Sequence, residues 1–156
     1  IGTFAFPAAV ALFIALLTEY LPSITNWAVC DSVVNSFKSA KQHLPETWDY
    51  LQPLLESGEE YRIRFAVVML MTYFMMPEYI GRVLEVYEHI RHEGHYVKMA
   101  VAWGISVCYV KFRAEALTLL KRQTLDPWTQ NKAIQKCRES YRVSLEDKEM
   151  LLTLKV

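Results

Sequence analysis

Four strongly apolar segments begin near residues 26, 61, 96 and 127, and no other feature constrains the fold as much as that spacing. Each segment carries apolar side chains at intervals of three and four, which is a helical period. A more amphipathic helical segment lies between each neighbouring pair. Steps of 31–35 residues suggest stacked helix pairs, each burying its apolar face against the next. Almost no segment alternates with a strand period. Five Gly and six Pro are too few turn residues for a hairpin-rich β fold. At 156 residues, the chain can bury one sizeable core.

Boundary signals divide the chain into nine helices. The first runs from Pro7 to Tyr20. Thr25 or Asn26 caps a second, which ends at Phe37. Pro45 and Glu46 open a third, with Trp48, Leu51, Leu54 and Leu55 on one face, and Ser57-Gly58 stops it. Glu59 and Glu60, favourable at a helix N-terminus, begin a long apolar helix through Phe74. Pro77 opens the fifth, which Gly94 closes, and Tyr96–Val110 forms a sixth that is apolar on nearly all sides. Arg113–Arg122 is the seventh. Asp126-Pro127 starts the eighth, which runs to Ser140, and Ser144 with Asp147 makes a weak capping box for the last. In pairs these give an all-α fold, a right-handed α-solenoid of HEAT-like helix pairs (an α–α superhelix). The expected unit is a single helical-repeat domain over residues 1–156, with a closed helical bundle as the alternative. Phe4–Leu17 is uncharged but lacks a basic start and is too short to span a bilayer. It reads as a buried helix, packed against preceding chain, and a first residue of Ile1 rather than Met reads as a fragment.

The formal net charge is zero, with 17 basic and 17 acidic residues, but the charges are segregated. Residues 98–142 hold nine basic and three acidic groups, whereas residues 1–97 hold six basic and eleven acidic ones. Lys132, Lys136 and Arg138 fall on one helix with Arg142 just beyond, a cluster suited either to tracking a phosphate backbone or to forming a solvated face. Cys30, Cys108 and Cys137 contain no CxxC pair and read as small core residues in a reducing compartment.

Three constellations can carry chemistry. Trp27 and Asp31 stand four residues apart, about 40° around one helix axis, with Asp31 bordering an apolar stripe. A carboxylate there needs a partner. It either stabilises positive charge in a transition state or caps a neighbouring helix. Trp103 lies in the sixth helix beside Gly104, which allows a close approach by backbone or ligand; core packing is the alternative. Arg62 and Arg64 suggest ion pairs with Glu59 and Glu60, or phosphate contact. His89, His92 and His95 recur at spacing three, but a helix break at Gly94 argues against a metal site.

Asn26–Asp31 (NWAVCD), Tyr61–Leu70 (YRIRFAVVML), Tyr96–Trp103 (YVKMAVAW) and Asn131–Arg142 (NKAIQKCRESYR) together resemble the DNA alkylation repair enzymes, the AlkD-type DNA glycosylases built of HEAT-like repeats. The four blocks keep the family's order from about residue 8 onward. Because family members extend further at the N-terminus, the resemblance makes this chain the C-terminal part of a longer fold. An arginine that precedes an Ala-Ala pair in the better-studied branch falls at Phe65, with Arg64 beside it, so the chain is similar to a divergent branch.

The resemblance implies a glycosylase that hydrolyses the N-glycosidic bond of cationic N3- or N7-alkylated purines in double-stranded DNA, without a tight base pocket. Asp31 is then the catalytic carboxylate, which stabilises the oxocarbenium ion or activates water. Trp27, Trp103 and Arg64 bind substrate. Lys98, Lys132, Lys136, Arg138 and Arg142 hold phosphates. No metal or organic cofactor and no membrane are called for, and the expected protein is a cytoplasmic, nucleoid-associated monomer. The competing readings are a non-catalytic module that binds DNA structures and a protein-binding helical scaffold.

Overall fold

The computed structural model describes residues 8–156, so Pro7 as a helix start lies outside it. Its α-helices are α1 (Ala8–Tyr20), α2 (Trp27–Ser36), α3 (Leu44–Leu55), α4 (Glu60–Tyr73), α5 (Ile80–His89), α6 (His95–Lys111), α7 (Arg113–Arg122), α8 (Pro127–Glu139) and α9 (Leu145–Leu152). Short 3-10 turns occupy Leu21–Ser23 and Lys38–Gln42. No strand occurs among the described residues.

The helices form an α-solenoid. In one layer α2, α4, α6 and α8 pack side by side in chain order, and α3, α5, α7 and α9 back them. The repeat seen in the sequence is therefore the rise of the stack: α2, α4, α6 and α8 are the four apolar segments. Side-chain bonds follow the same interval. Arg64 reaches Asp31 33 residues away, the Glu60 carboxylate reaches residue 96 across 36, and Arg122 reaches Glu88 across 34. Each unit bonds to its neighbour in the stack, as expected for a quasi-one-dimensional architecture.

Burial explains why α4 and α6 look apolar all round. Residues 63–71 are buried without interruption, because α4 is enclosed by α2, α6 and α3. In α6, Gly104 is the point of closest approach: a Cβ there would lie 2.7 Å from the ring of Tyr87. Tyr87 is fully buried, and its hydroxyl donates to Val67 O at 2.9 Å. What approaches Gly104 is thus the core tyrosine of α5, neither backbone nor ligand. Cys30, Cys108 and Cys137 are buried and unbridged, and burial pushes each thiol up to about 12.

Two local expectations change. Helix α5 starts at Ile80, since the Tyr79 and Ile80 amides both donate to Met76 O and close a turn after Pro77. It ends at His89, and Gly94 instead N-caps α6. A side chain at 94 would meet the Glu60 carboxyl at 2.6 Å, and this crowding favours glycine there. Within this chain helix α1 leaves Leu12, Leu16 and Tyr20 exposed and turns Leu17 inward. It sits at one end of the stack and packs chiefly on the Leu21–Ser23 turn. No helix among the described residues is long and apolar enough to cross a membrane.

The capping box at α9 is half made. Ser144 Oγ accepts the Asp147 amide at 3.1 Å, but the Asp147 carboxylate turns to Arg113 Nε (2.6 Å) and Tyr109 Oη (2.7 Å). These bonds tie α9 to α6 and α7 and lower the Asp147 carboxyl to about 2, the Arg113 guanidinium being the first cause and the Tyr109 hydroxyl the second.

Two predictions follow from the packing. Gly104→Ala should drive a methyl into Tyr87 and cost about 1–3 kcal/mol, read as a lower urea midpoint at unchanged m-value. Because the Asp147 carboxyl is depressed in the fold, its contribution is present above the ordinary carboxyl range and lost as pH falls toward 2. Asp147→Asn should therefore cost about 1 kcal/mol at neutral pH, and its stability gap from the parent protein should close between pH 5 and pH 2.

Candidate active site

Asn26 sets the position of the first two site residues. Its Oδ1 accepts the Val29 amide at 3.0 Å and caps α2, so Trp27 is the first helical residue and Asp31 sits one turn on. Cys30, Val34 and Phe37 of the same stripe are buried, whereas Trp27 is 49% exposed. The indole therefore stands off the core rather than inside it.

Asp31 faces α4. Its two carboxylate oxygens accept from Arg64 Nε at 3.1 Å and Nη2 at 2.8 Å, a bidentate pair. Arg64 is only 6% exposed, and its remaining Nη1 donates to Tyr96 O at 2.9 Å, in the first turn of α6. One turn earlier on α4, the Glu60 carboxylate accepts the Tyr96 amide at 3.0 Å, which supplies from a neighbouring helix the cap that Gly94 cannot. Glu60 and Arg64 thus grip both polar backbone groups of Tyr96, while Tyr61 stacks on the Tyr96 ring at 5.9 Å. Arg62, by contrast, pairs with Glu59 at 2.7 Å, as its spacing suggested.

Along α6, residues 95, 99 and 103 recur at intervals of four and share a face. His95, Met99 and Trp103 line one open cavity of about 360 Å³ together with Trp27, Asp31, Arg64, Tyr96 and Lys136. Trp103 is 39% exposed, so it belongs to this cavity and not to the core. Four helices of one layer, α2, α4, α6 and α8, each contribute at least one residue. The Asp31 and Arg64 charges offset one another. Half-buried Lys136 has no ion-pair or hydrogen-bond partner among the described residues and leaves the cavity with one positive charge in excess.

The other expected cations lie elsewhere. Lys98 is not at the cavity: its ammonium sits 3.3 Å from Glu93 Oε2 and 3.9 Å from Asp126 Oδ2. Lys132 and Arg138 line an adjoining hollow beside Trp128, and the Arg142 guanidinium stands over the Tyr141 ring at 5.7 Å. Arg64 lines the cavity but is only 6% exposed, and its donors are taken up by Asp31 and Tyr96 O. The three histidines diverge. His89 Nδ1 lies 2.8 Å from Glu85 O, His92 lies between Gly58 O and the Gly94 amide, and His95 alone reaches the cavity, edge-on to Trp128 at 5.6 Å. No group of three metal-ligating side chains occurs among the described residues.

His95, Tyr96 and Met99 are cavity residues that the sequence did not single out as such. Stepping back from Trp103 by four and eight residues along α6 would have found Met99 and His95. Tyr96 could not be found that way, since it is placed by its backbone bonds to α4.

A family model described as DNA alkylation repair enzyme matches residues 4–137. No curated protein and no solved structure matches the chain. With 134 of 156 positions inside the match and the family's blocks converging on one cavity, the chain belongs to the DNA alkylation repair enzyme family.

Proposed function

We propose that this chain hydrolyses the N-glycosidic bond of cationic N3- or N7-alkylated purines in double-stranded DNA. The observation that supports this reading is that the Asp31 carboxylate and the Trp27 and Trp103 indoles line one open cavity. Alkylation makes the purine a cationic leaving group. When the C1′–N bond breaks, its electron pair neutralises the departing base and positive charge moves to the sugar as an oxocarbenium ion. A fixed carboxylate near that sugar stabilises the charge without reorganising. Water then adds at C1′ and gives up its proton.

Asp31 suits the activation of water in particular, because Arg64 offsets its charge but holds its direction. Both of its oxygens already accept a guanidinium N–H, which fixes their direction and leaves further lone pairs for the sugar cation or the attacking water. The indoles offer π faces to the cationic nucleotide. Lys136, unpaired at the cavity, is the phosphate contact we assign to the lesion itself, and Lys132, Arg138 and Arg142 extend the cationic surface. Lys98, occupied by two carboxylates, is left out of this assignment.

Asp31→Asn should lower the rate of 7-methylguanine release by about 10²–10³-fold while DNA affinity changes only a few-fold. The same substitution leaves the Arg64 charge buried and half-paired, which is destabilising. The double variant Asp31→Asn/Arg64→Gln removes both charges and should regain stability without regaining base release. Undiminished release from either variant would remove Asp31 from the catalytic role, and absence of release from the parent protein would end the enzymatic reading. Wild-type protein that binds DNA but releases no base would favour the binding-module alternative. Lys136→Ala should reduce the slope of log K against log salt by about 0.9; no salt-dependent affinity in the parent protein would favour a protein-binding scaffold.

A further inference from the structure

Beside the Asp31 cavity lies a second hollow of about 400 Å³ between α8 and the end of α9. One face of α8 forms the wall between the two: Lys136 lines the first, and Trp128 and Lys132, at intervals of four, line the second. His95 of the first cavity stands edge-on to Trp128 at 5.6 Å. The second hollow is lined by apolar Trp128, Ile134 and Leu152, by the amides of Asn131 and Gln135, and by three cations, Lys132, Arg138 and Lys155. No carboxylate lines it.

The three cations are available. Lys132 Nζ donates only to the neutral Gln135 Oε1 at 2.8 Å and lies over the Trp128 ring at 5.5 Å. Arg138 uses Nε on Lys148 O at 3.1 Å and leaves its terminal nitrogens free. Lys155 has no ion-pair partner among the described residues. Phosphates alone would be served by the cations and have no use for the indole. An indole beside three cations is instead the equipment for a base stacked above its own phosphate.

We infer that this hollow takes one unpaired nucleotide of the bound DNA, its base displacing the Lys132 ammonium from over the Trp128 ring to stack there, and its phosphates held by Lys132, Arg138 and Lys155. The inference rests on the reading that this face binds DNA, but not on base release. It makes the protein favour duplexes that present an unpaired nucleotide beside the paired stretch engaged by Lys136.

The test uses undamaged duplexes, one fully paired and one with a single-nucleotide bulge carrying 2-aminopurine. The parent protein should bind the bulged duplex about tenfold more tightly and quench the 2-aminopurine emission. Trp128→Leu should abolish both effects and leave affinity for the paired duplex unchanged, while Trp128→Phe should keep most of the quenching. Arg138→Ala/Lys155→Ala, at exposed positions, should weaken binding to the bulged duplex and lower its salt slope. Equal affinity for the two duplexes, or full quenching by Trp128→Leu, would overturn the inference. Absence of base release from an alkylated duplex that the parent protein binds would overturn the glycosylase reading alone. Loss of DNA binding altogether would overturn both.

Discussion

Arg64 carries the constraint on which the site depends. A guanidinium buried in an apolar layer is tolerable only if its donors are met. Here the donors of Arg64, on α4, are met by two other helices: the Asp31 carboxylate on α2 and Tyr96 O on α6. The requirement locks three successive units into one register. It also fixes the aim of Asp31, since a bidentate pair has little freedom to rotate. The contact that ties the units together also holds the carboxylate proposed to act on the sugar, and this is why a substitution at Asp31 has to be read through a charge-balanced double variant.

The second organising feature is the interval. Bonds between Arg113 and Asp147, and between His92 and Gly58, also span 34 residues. Solenoids bury their cores between neighbouring units, so polar bonds that recur at the unit length act as staples along the stack. Glu60 shows how economical this becomes: one carboxylate lies in the first turn of α4, where the helix dipole favours it, and also caps α6. The family's blocks lie at the same interval because each site residue comes from an equivalent helix of a successive unit.

Charge segregation has a structural counterpart. The acidic N-terminal part spends several carboxylates on internal work: Asp31 on Arg64, Glu60 on α6 and Glu88 on Arg122. The basic C-terminal part leaves Lys136 and Lys155 without carboxylate partners, and both line hollows on or beside α8. The neutral total is therefore compatible with a locally cationic face, which suits a polyanionic partner.

Hydrophobic period and capping signals alone determined the helical class, the number of helices and most of their limits, because those depend on local residues. Asn26, Asp126 and Ser144 cap as their side chains dictate. Trp27 and Asp31 could be paired from spacing on one helix. Only the tertiary structure decided that Trp103 leaves the core, that Arg64 grips Asp31, that Lys98 pairs with Glu93 and Asp126, and that Gly94 begins a helix. Most of these turn on a group about one repeat away in the chain, or on which face of a helix its neighbours cover. Such information resides in the packing of one unit on the next, and no local pattern encodes it.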